Sequence, residues 1–172
     1  MKKNIFKLLL VVLFLGVSLN AKDTSNILHN TNKTYFLPDE TKEVQDKIID
    51  LIDNSKKSIK IAMYNFSYKK FAKKLAKASK NGIKITVILD KSKVKKDDEM
   101  YNYLKKNGIE VIVPKVKMHT KLALFDSKNL VLGSSNWTKE SFKKNYEIIF
   151  FTKDKKVIKK VEKFLVDIQK KH

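Results

Sequence analysis

Residues 83–89 read IKITVIL, an almost wholly apolar run stopped by Asp90. Short runs of this kind, rich in β-branched residues, suit strands covered on both faces, the habit of parallel sheets rather than solvated hairpins. A strand of that type needs helices above and below it, and the flanking sequence supplies them. Residues 41–54 place Val44, Ile48, Leu51 and Ile52 at helical spacing, with Asp39 or Thr41 as candidate N-cap. Residues 71–80 carry Phe71, Leu75 and Ala78 on one helical face and stop at Asn81-Gly82. A further helix at 97–106 is closed by Asn107-Gly108, and strands are expected at 58–64 and 109–113, the second ended by Pro114.

Beyond Pro114 the rhythm changes. Residues 121–125 and 130–132 are short apolar strands joined by Asp126-Ser127-Lys128-Asn129, a tight hairpin turn. Residues 147–152 form another strand. Residues 154–169 form a closing helix with Val157, Val161, Phe164, Leu165 and Ile168 turned inward. No internal repeat is present. The expected fold is one α/β domain over residues 34–172, a mixed β-sheet sandwiched between helices, and 172 residues suit one such domain.

The N-terminal residues 1–21 combine Lys2, Lys3 and Lys7 with an unbroken apolar stretch from Leu8 to Val17. A helix over that stretch spans only about 15 Å, half the hydrocarbon core. The segment reads as a secretory signal peptide cut after Ser18 or Ala21, with an uncleaved membrane anchor as the alternative. Either reading exports the rest of the chain, to the periplasm or a membrane surface. Residues 22–33 are polar and aperiodic and read as a linker.

Charge narrows the partner. The chain carries 38 basic residues against 18 acidic ones, a net charge of +20, and every basic residue is lysine. Lysine is a mobile point charge without the bidentate fork of arginine, so this surface suits loose contact with a polyanion better than base-specific reading. There is no cysteine, which excludes disulfides, thiolate metal sites and a cysteine nucleophile.

Chemistry-bearing residues gather between His119 and Glu147. The order is His119-x-Lys121-x4-Asp126-x6-Gly133-Ser134-x-Asn136, followed by Asn145-Tyr146-Glu147 at the start of a strand. Residues two apart in a strand share a face, so His119 projects with Lys121, and Ser134 with Asn136. Imidazole attacks phosphorus or moves a proton near neutral pH. Lysine and a carboxamide donate to non-bridging oxygens whose charge grows in a five-coordinate transition state. Glu147 is placed to accept the other ring N–H of His119. No metal or other cofactor is required by this set. Each residue alone has a bland reading: Asp126 as a turn former, Gly133-Ser134 as a simple turn.

Together these six positions resemble the HKD motif of the phospholipase D superfamily, and within it the short bacterial endonucleases that carry a single copy. Ile61-Ala62-Met63-Tyr64-Asn65-Phe66-Ser67 is similar to the family's early strand. The resemblance implies that His119 is the nucleophile, that Lys121, Ser134 and Asn136 hold the phosphate, that Glu147 orients His119, and that Asp126 supports structure. Ile148 departs from relatives with a polar residue there. The resemblance further implies that two chains pair about a two-fold axis, since one motif supplies one imidazole while double displacement needs two.

Substrate contacts are expected from Lys115 and Lys117 before the motif, and from Lys139, Lys143 and Lys144 after it. Trp137, Phe142 and Tyr146 lie among them, either to stack on bases or to serve as core or dimer contacts. The expected activity is metal-independent hydrolysis of DNA, with RNA also admissible, without sequence preference and with steep salt dependence. The rival reading is a phospholipase D acting on membrane headgroups. A DNA-binding protein that has lost catalysis is a third reading, disfavoured by the intact motif.

Overall fold

The computed structural model describes residues 32–94 and 98–171. The expected signal peptide or anchor and residues 22–31 of the expected linker lie outside the described residues. In chain order the elements are β1 (Lys33–Leu37), α1 (Thr41–Asn54), β2 (Ser58–Met63), α2 (Lys69–Lys80), β3 (Lys84–Leu89), α3 (Glu99–Lys106), β4 (Glu110–Ile112), β5 (Lys121–Phe125), β6 (Asn129–Gly133), α4 (Lys139–Lys144), β7 (Glu147–Thr152) and α5 (Lys155–Lys170). A 3₁₀ turn, Lys91–Lys93, follows β3.

The strands form one mixed sheet ordered β1-β7-β6-β5-β2-β3-β4. Strand β2 sits where its two halves meet. It pairs parallel with β3, which pairs parallel with β4, and antiparallel with β5, from which β6, β7 and β1 follow antiparallel. The mixed sheet between helices is therefore the observed architecture.

Alternation along the strands divides the core in two. Ile59, Ile61 and Met63 of β2, with Ile85, Val87 and Leu89 of β3, join the larger cluster, where Val44, Ile48, Phe71 and Leu75 of the helices are buried. Ala62, Ile88, Leu122, Leu124 and Leu130 face the other way, onto Ile158 and Leu165 of α5. Among the described residues, that second face is covered by one helix. At its β1–β7 end, Phe36 and Ile148 are register partners, and both stand open to solvent at 60% and 45% exposure.

Several expectations are corrected here. Strand β1 begins at Lys33, one residue inside the expected linker. Its KTYFL sequence buries only Tyr35 and Leu37, as an edge strand with one covered face does. Neither Asp39 nor Thr41 caps α1. Glu40 holds that position without a side-chain cap, and its carboxylate instead accepts from the Phe36 N–H at 2.6 Å. In α5, Ile158 rather than Val157 leads the buried stripe. Ile158, Val161, Leu165 and Ile168 meet the sheet, which rotates Val157 and Phe164 onto an exposed flank.

Candidate active site

Two sheet ends and the chain leaving β2 build the site. His119 lies two residues before the first residue of β5, and the Tyr64 N–H donates to the Thr120 carbonyl at 3.0 Å, continuing the β2–β5 pairing past the strands' ends. The next residue, Asn65, donates its N–H to Oδ1 of Asn136 at 3.2 Å. That bond occupies the carboxamide oxygen of Asn136 and leaves its Nδ2 as a donor.

Gly133 ends β6 because nothing larger fits. A Cβ there would stand 2.0 Å from the Ile148 carbonyl oxygen. With this close approach, the Ser134 N–H donates to the Ile148 carbonyl at 3.0 Å and the Ile148 N–H donates to Ser134 Oγ at 3.1 Å. The Ser134 hydroxyl donates in turn to Glu147, whose other oxygen accepts from Asn145 Nδ2 at 3.3 Å. Glu147 thus orients Ser134. No hydrogen bond joins it to His119, in contrast to the expectation for that residue.

The His119 side chain is exposed, and its ring packs 4.4 Å from that of Tyr64, tilted by 51°. Lys121 Nζ donates to the His119 carbonyl at 3.0 Å and stands 5.2 Å from the Tyr64 ring centre; Lys93 Nζ stands 4.9 Å from the same ring. His119, Lys121, Gly133 and Ser134, with Leu122 and Leu132, line one open hollow of about 500 Å3. Partial burial pulls the Lys121 ammonium below its usual range, while Glu147 and Tyr64 favour its charged form. The Tyr64 hydroxyl is held below its ordinary value chiefly by hydrogen bonding to Ser92, with burial opposing and Lys93 and Lys117 assisting.

Asp126 is elsewhere, at the far end of β5, roughly 16 Å along the strand from Lys121. It occupies the hairpin turn with Ser127, both at left-handed φ values of 52° and 55°. Its carboxylate accepts from the N–H groups of Lys56 and Lys57 at 2.8 Å and of Ser58 at 2.9 Å, tying the turn to the start of β2.

The flanking residues divide. Lys115 and Lys117 are exposed just before His119, and Lys139, Lys143 and Lys144 are exposed on α4. Trp137 does not offer a stacking surface: it is 2% exposed, edge-on to Phe66 and tilted against Phe71. Phe142 is fully buried in the same aromatic group, whereas Tyr146 is 94% exposed. Phe142 turns inward on α4, Trp137 is turned inward ahead of that helix by its bridge to Phe66, and Tyr146 lies beyond the helix end.

Sequence reasoning gives no role to Tyr64, Asn65 or Lys93. Their signal is the polar break at the end of β2, but only the β2–β5 pairing reveals that this break meets His119 and Asn136. In the sequence Asp90 marks only the end of a strand. In the fold it is buried and accepts from Ser92 N–H at 2.9 Å and from Met118 N–H at 2.6 Å, fixing the approach to His119.

A seven-stranded mixed sheet with this histidine, lysine and asparagine set at one end defines an α/β domain of the phospholipase D and nuclease-like kind. Residues 48–168 match the family model described as cardiolipin synthase, PLD-like domain, and the chain belongs to the phospholipase D superfamily. A Rickettsia bellii protein named phospholipase D is 30% identical over 109 residues, 62% of this chain and 54% of that one. A mitochondrial cardiolipin hydrolase from Danio rerio is 24% identical over 116 residues, 66% of this chain and 51% of that one. The chain spans about half the length of the curated relatives it matches. Among solved structures, NucT from Helicobacter pylori superposes with a TM-score of 0.74 at 28% identity, covering 81% of this chain and 96% of NucT. Nuc from Salmonella typhimurium, titled a phospholipase D family member, superposes at 0.72 and 22% identity, with 81% and 94% covered. In architecture the chain is of this short, single-motif type.

Proposed function

We propose that the protein is an exported, metal-independent phosphodiesterase that hydrolyses nucleic acid without sequence preference, DNA first among its substrates, through a phosphohistidine on His119. The observation that carries this reading is the hollow itself, where an exposed imidazole shares one open surface with Lys121 and Ser134. In the first step a His119 ring nitrogen forms a bond to phosphorus as the P–O bond to the leaving strand breaks. Lys121 and the Asn136 Nδ2 hold the non-bridging oxygens as charge develops on them, while Ser134, whose hydroxyl proton goes to Glu147, lines the hollow beside them. A second, protonated imidazole gives its proton to the departing oxygen. Water then attacks phosphorus, passes its proton to that second imidazole, and frees His119.

The second imidazole comes from a second copy of the chain. Among the described residues His119 is the only histidine. Exposed apolar residues lie on the segments that flank the site: Val116 three residues before His119, Tyr146 and Ile148 on either side of Glu147, and Phe36 opposite Ile148. A homodimer covering this corner removes apolar surface from water and brings two copies of His119 to one phosphate.

Digestion of labelled DNA in excess EDTA, by the native protein and by His119→Ala, tests the reading. Native cleavage that persists in EDTA and vanishes in the variant supports it. Cleavage unchanged in His119→Ala sinks it. The resemblance to proteins named phospholipase D and cardiolipin hydrolase favours one rival, hydrolysis of a lipid headgroup at the same His119 on a membrane reached through the N-terminal segment. Parallel assays on single-stranded DNA, RNA and phosphatidylcholine vesicles separate the two.

A further inference from the structure

A second cavity adjoins the site, between the N-terminal ends of α2 and α3, with a volume of about 490 Å3. That lies within the range of small-ligand sites. Its lining includes Asn65, Phe66, Lys73, Lys93, Met100 and Tyr103. It shares two residues with the catalytic surroundings. Asn65 holds Asn136 through its backbone N–H, and Lys93 stands over the Tyr64 ring that packs on His119. We propose that this cavity is a subsite for one unpaired nucleobase of the strand being cut at His119, which makes single-stranded nucleic acid the preferred substrate. The proposal rests on the nuclease reading above.

The chemistry of the lining fits a base rather than an acyl chain. Met100 and Tyr103 are half-buried and present apolar surface to a ring. The Asn65 side-chain amide makes no hydrogen bond among the described residues, so both its donors and its acceptor are free for a base edge. Exposed Lys73 and Lys93 flank the opening and suit the adjoining phosphates. The two acids of the lining are already engaged, Asp98 accepting from the Tyr101 N–H at 2.7 Å and Glu99 pairing with Lys69 at 2.7 Å. A base held in a duplex has its edge paired and its faces stacked, and must be flipped out before it can enter.

The test compares a single-stranded oligonucleotide with a series carrying one abasic residue at successive positions, cut by the native protein and by Ser67→Trp. Ser67 is exposed and lines the cavity, and its N–H keeps its bond to the Trp137 carbonyl in the variant. The native protein is expected to cut the linkage on one side of the abasic residue about tenfold more slowly than in the intact strand. Ser67→Trp, its cavity plugged, is expected to cut the intact strand at that slow rate and to ignore the abasic change. No abasic penalty in the native protein, or the same penalty in native and plugged protein, overturns the subsite. A native protein that cuts none of the strands overturns the nuclease reading itself, and is told apart by that result.

Discussion

The ring of Tyr64 lies 4.4 Å from the imidazole of His119, and the ammonium groups of Lys93 and Lys121 stand 4.9 and 5.2 Å from the same ring centre. An electron-rich aromatic face gathers the two cations and braces the imidazole, so Tyr64 acts as a positioning residue for both groups. Tyr64→Ala is expected to lower kcat by about tenfold to a hundredfold with little change in KM, since misplacing a reacting group acts mainly on the chemical step. Tyr64→Phe keeps the ring and is expected to recover most of the rate. Steady-state kinetics on one oligonucleotide decide the matter, and equal losses in both variants would refute the ring's role.

Gly133→Ala is expected to damage stability and activity together. The new methyl group meets the Ile148 carbonyl at 2.0 Å, a backbone atom that moves only if β6 and β7 separate. The cost is about 1–3 kcal/mol by the usual scale of overpacking, read as a lowered melting temperature. Ser134 loses its two bonds to Ile148 in the same movement.

Acid is expected to weaken the fold through Asp90 and Asp126. Burial alone would raise the Asp90 carboxyl, but its bonds from Ser92 and Met118 outweigh that and hold it below the ordinary carboxylate range. Asp126 behaves likewise, burial being overcome by the N–H groups of Ser58, Lys56 and Lys57. Their stabilisation is complete above the unfolded value of about 4 and is lost as pH falls through the lowered folded values. Thermal melts from about pH 7 to about pH 2 should fall steeply at the acid end. Asp126→Asn should melt lower at neutral pH and lose part of that acid dependence.

If two copies of His119 serve one phosphate, mixing is informative. Native protein mixed and re-equilibrated with an equal amount of His119→Ala gives active pairs in about one quarter of dimers, so activity per dimer falls to about that fraction. A fall to one half marks a site complete within one chain. The native pH profile should also pass through a maximum, since the two imidazoles start in opposite protonation states.

The elements most legible in the sequence are those whose burial pattern is local. Val44, Ile48 and Ile52 mark α1, and the apolar run of β3 marks a covered strand, because one period decides each of them. Edge strand β1 is not legible as a strand, because its five residues are held extended by the β7 neighbour they pair with rather than by any local period. The spacing from His119 to Asn136 reveals a site but not its supports. Glu147 reads as a partner for His119, and the closure of β6 on β7 at Gly133 gives it to Ser134 instead. Trp137 reads either as a stacking platform or as a core or dimer contact, and the bridge to Phe66 decides for the core.

Residues 64–68 follow the central strand and are laced to both arms of the site. Tyr64 bonds Thr120, Asn65 bonds both Asn136 and Trp137, and Ser67 and Tyr68 both donate to the Trp137 carbonyl. The catalytic arms are therefore riveted to the middle of the sheet and cannot breathe apart while it stays intact. Amide hydrogens at Tyr64, Asn65 and Tyr68 should exchange with solvent only in step with global opening, so that heat abolishes catalysis and fold in a single cooperative event.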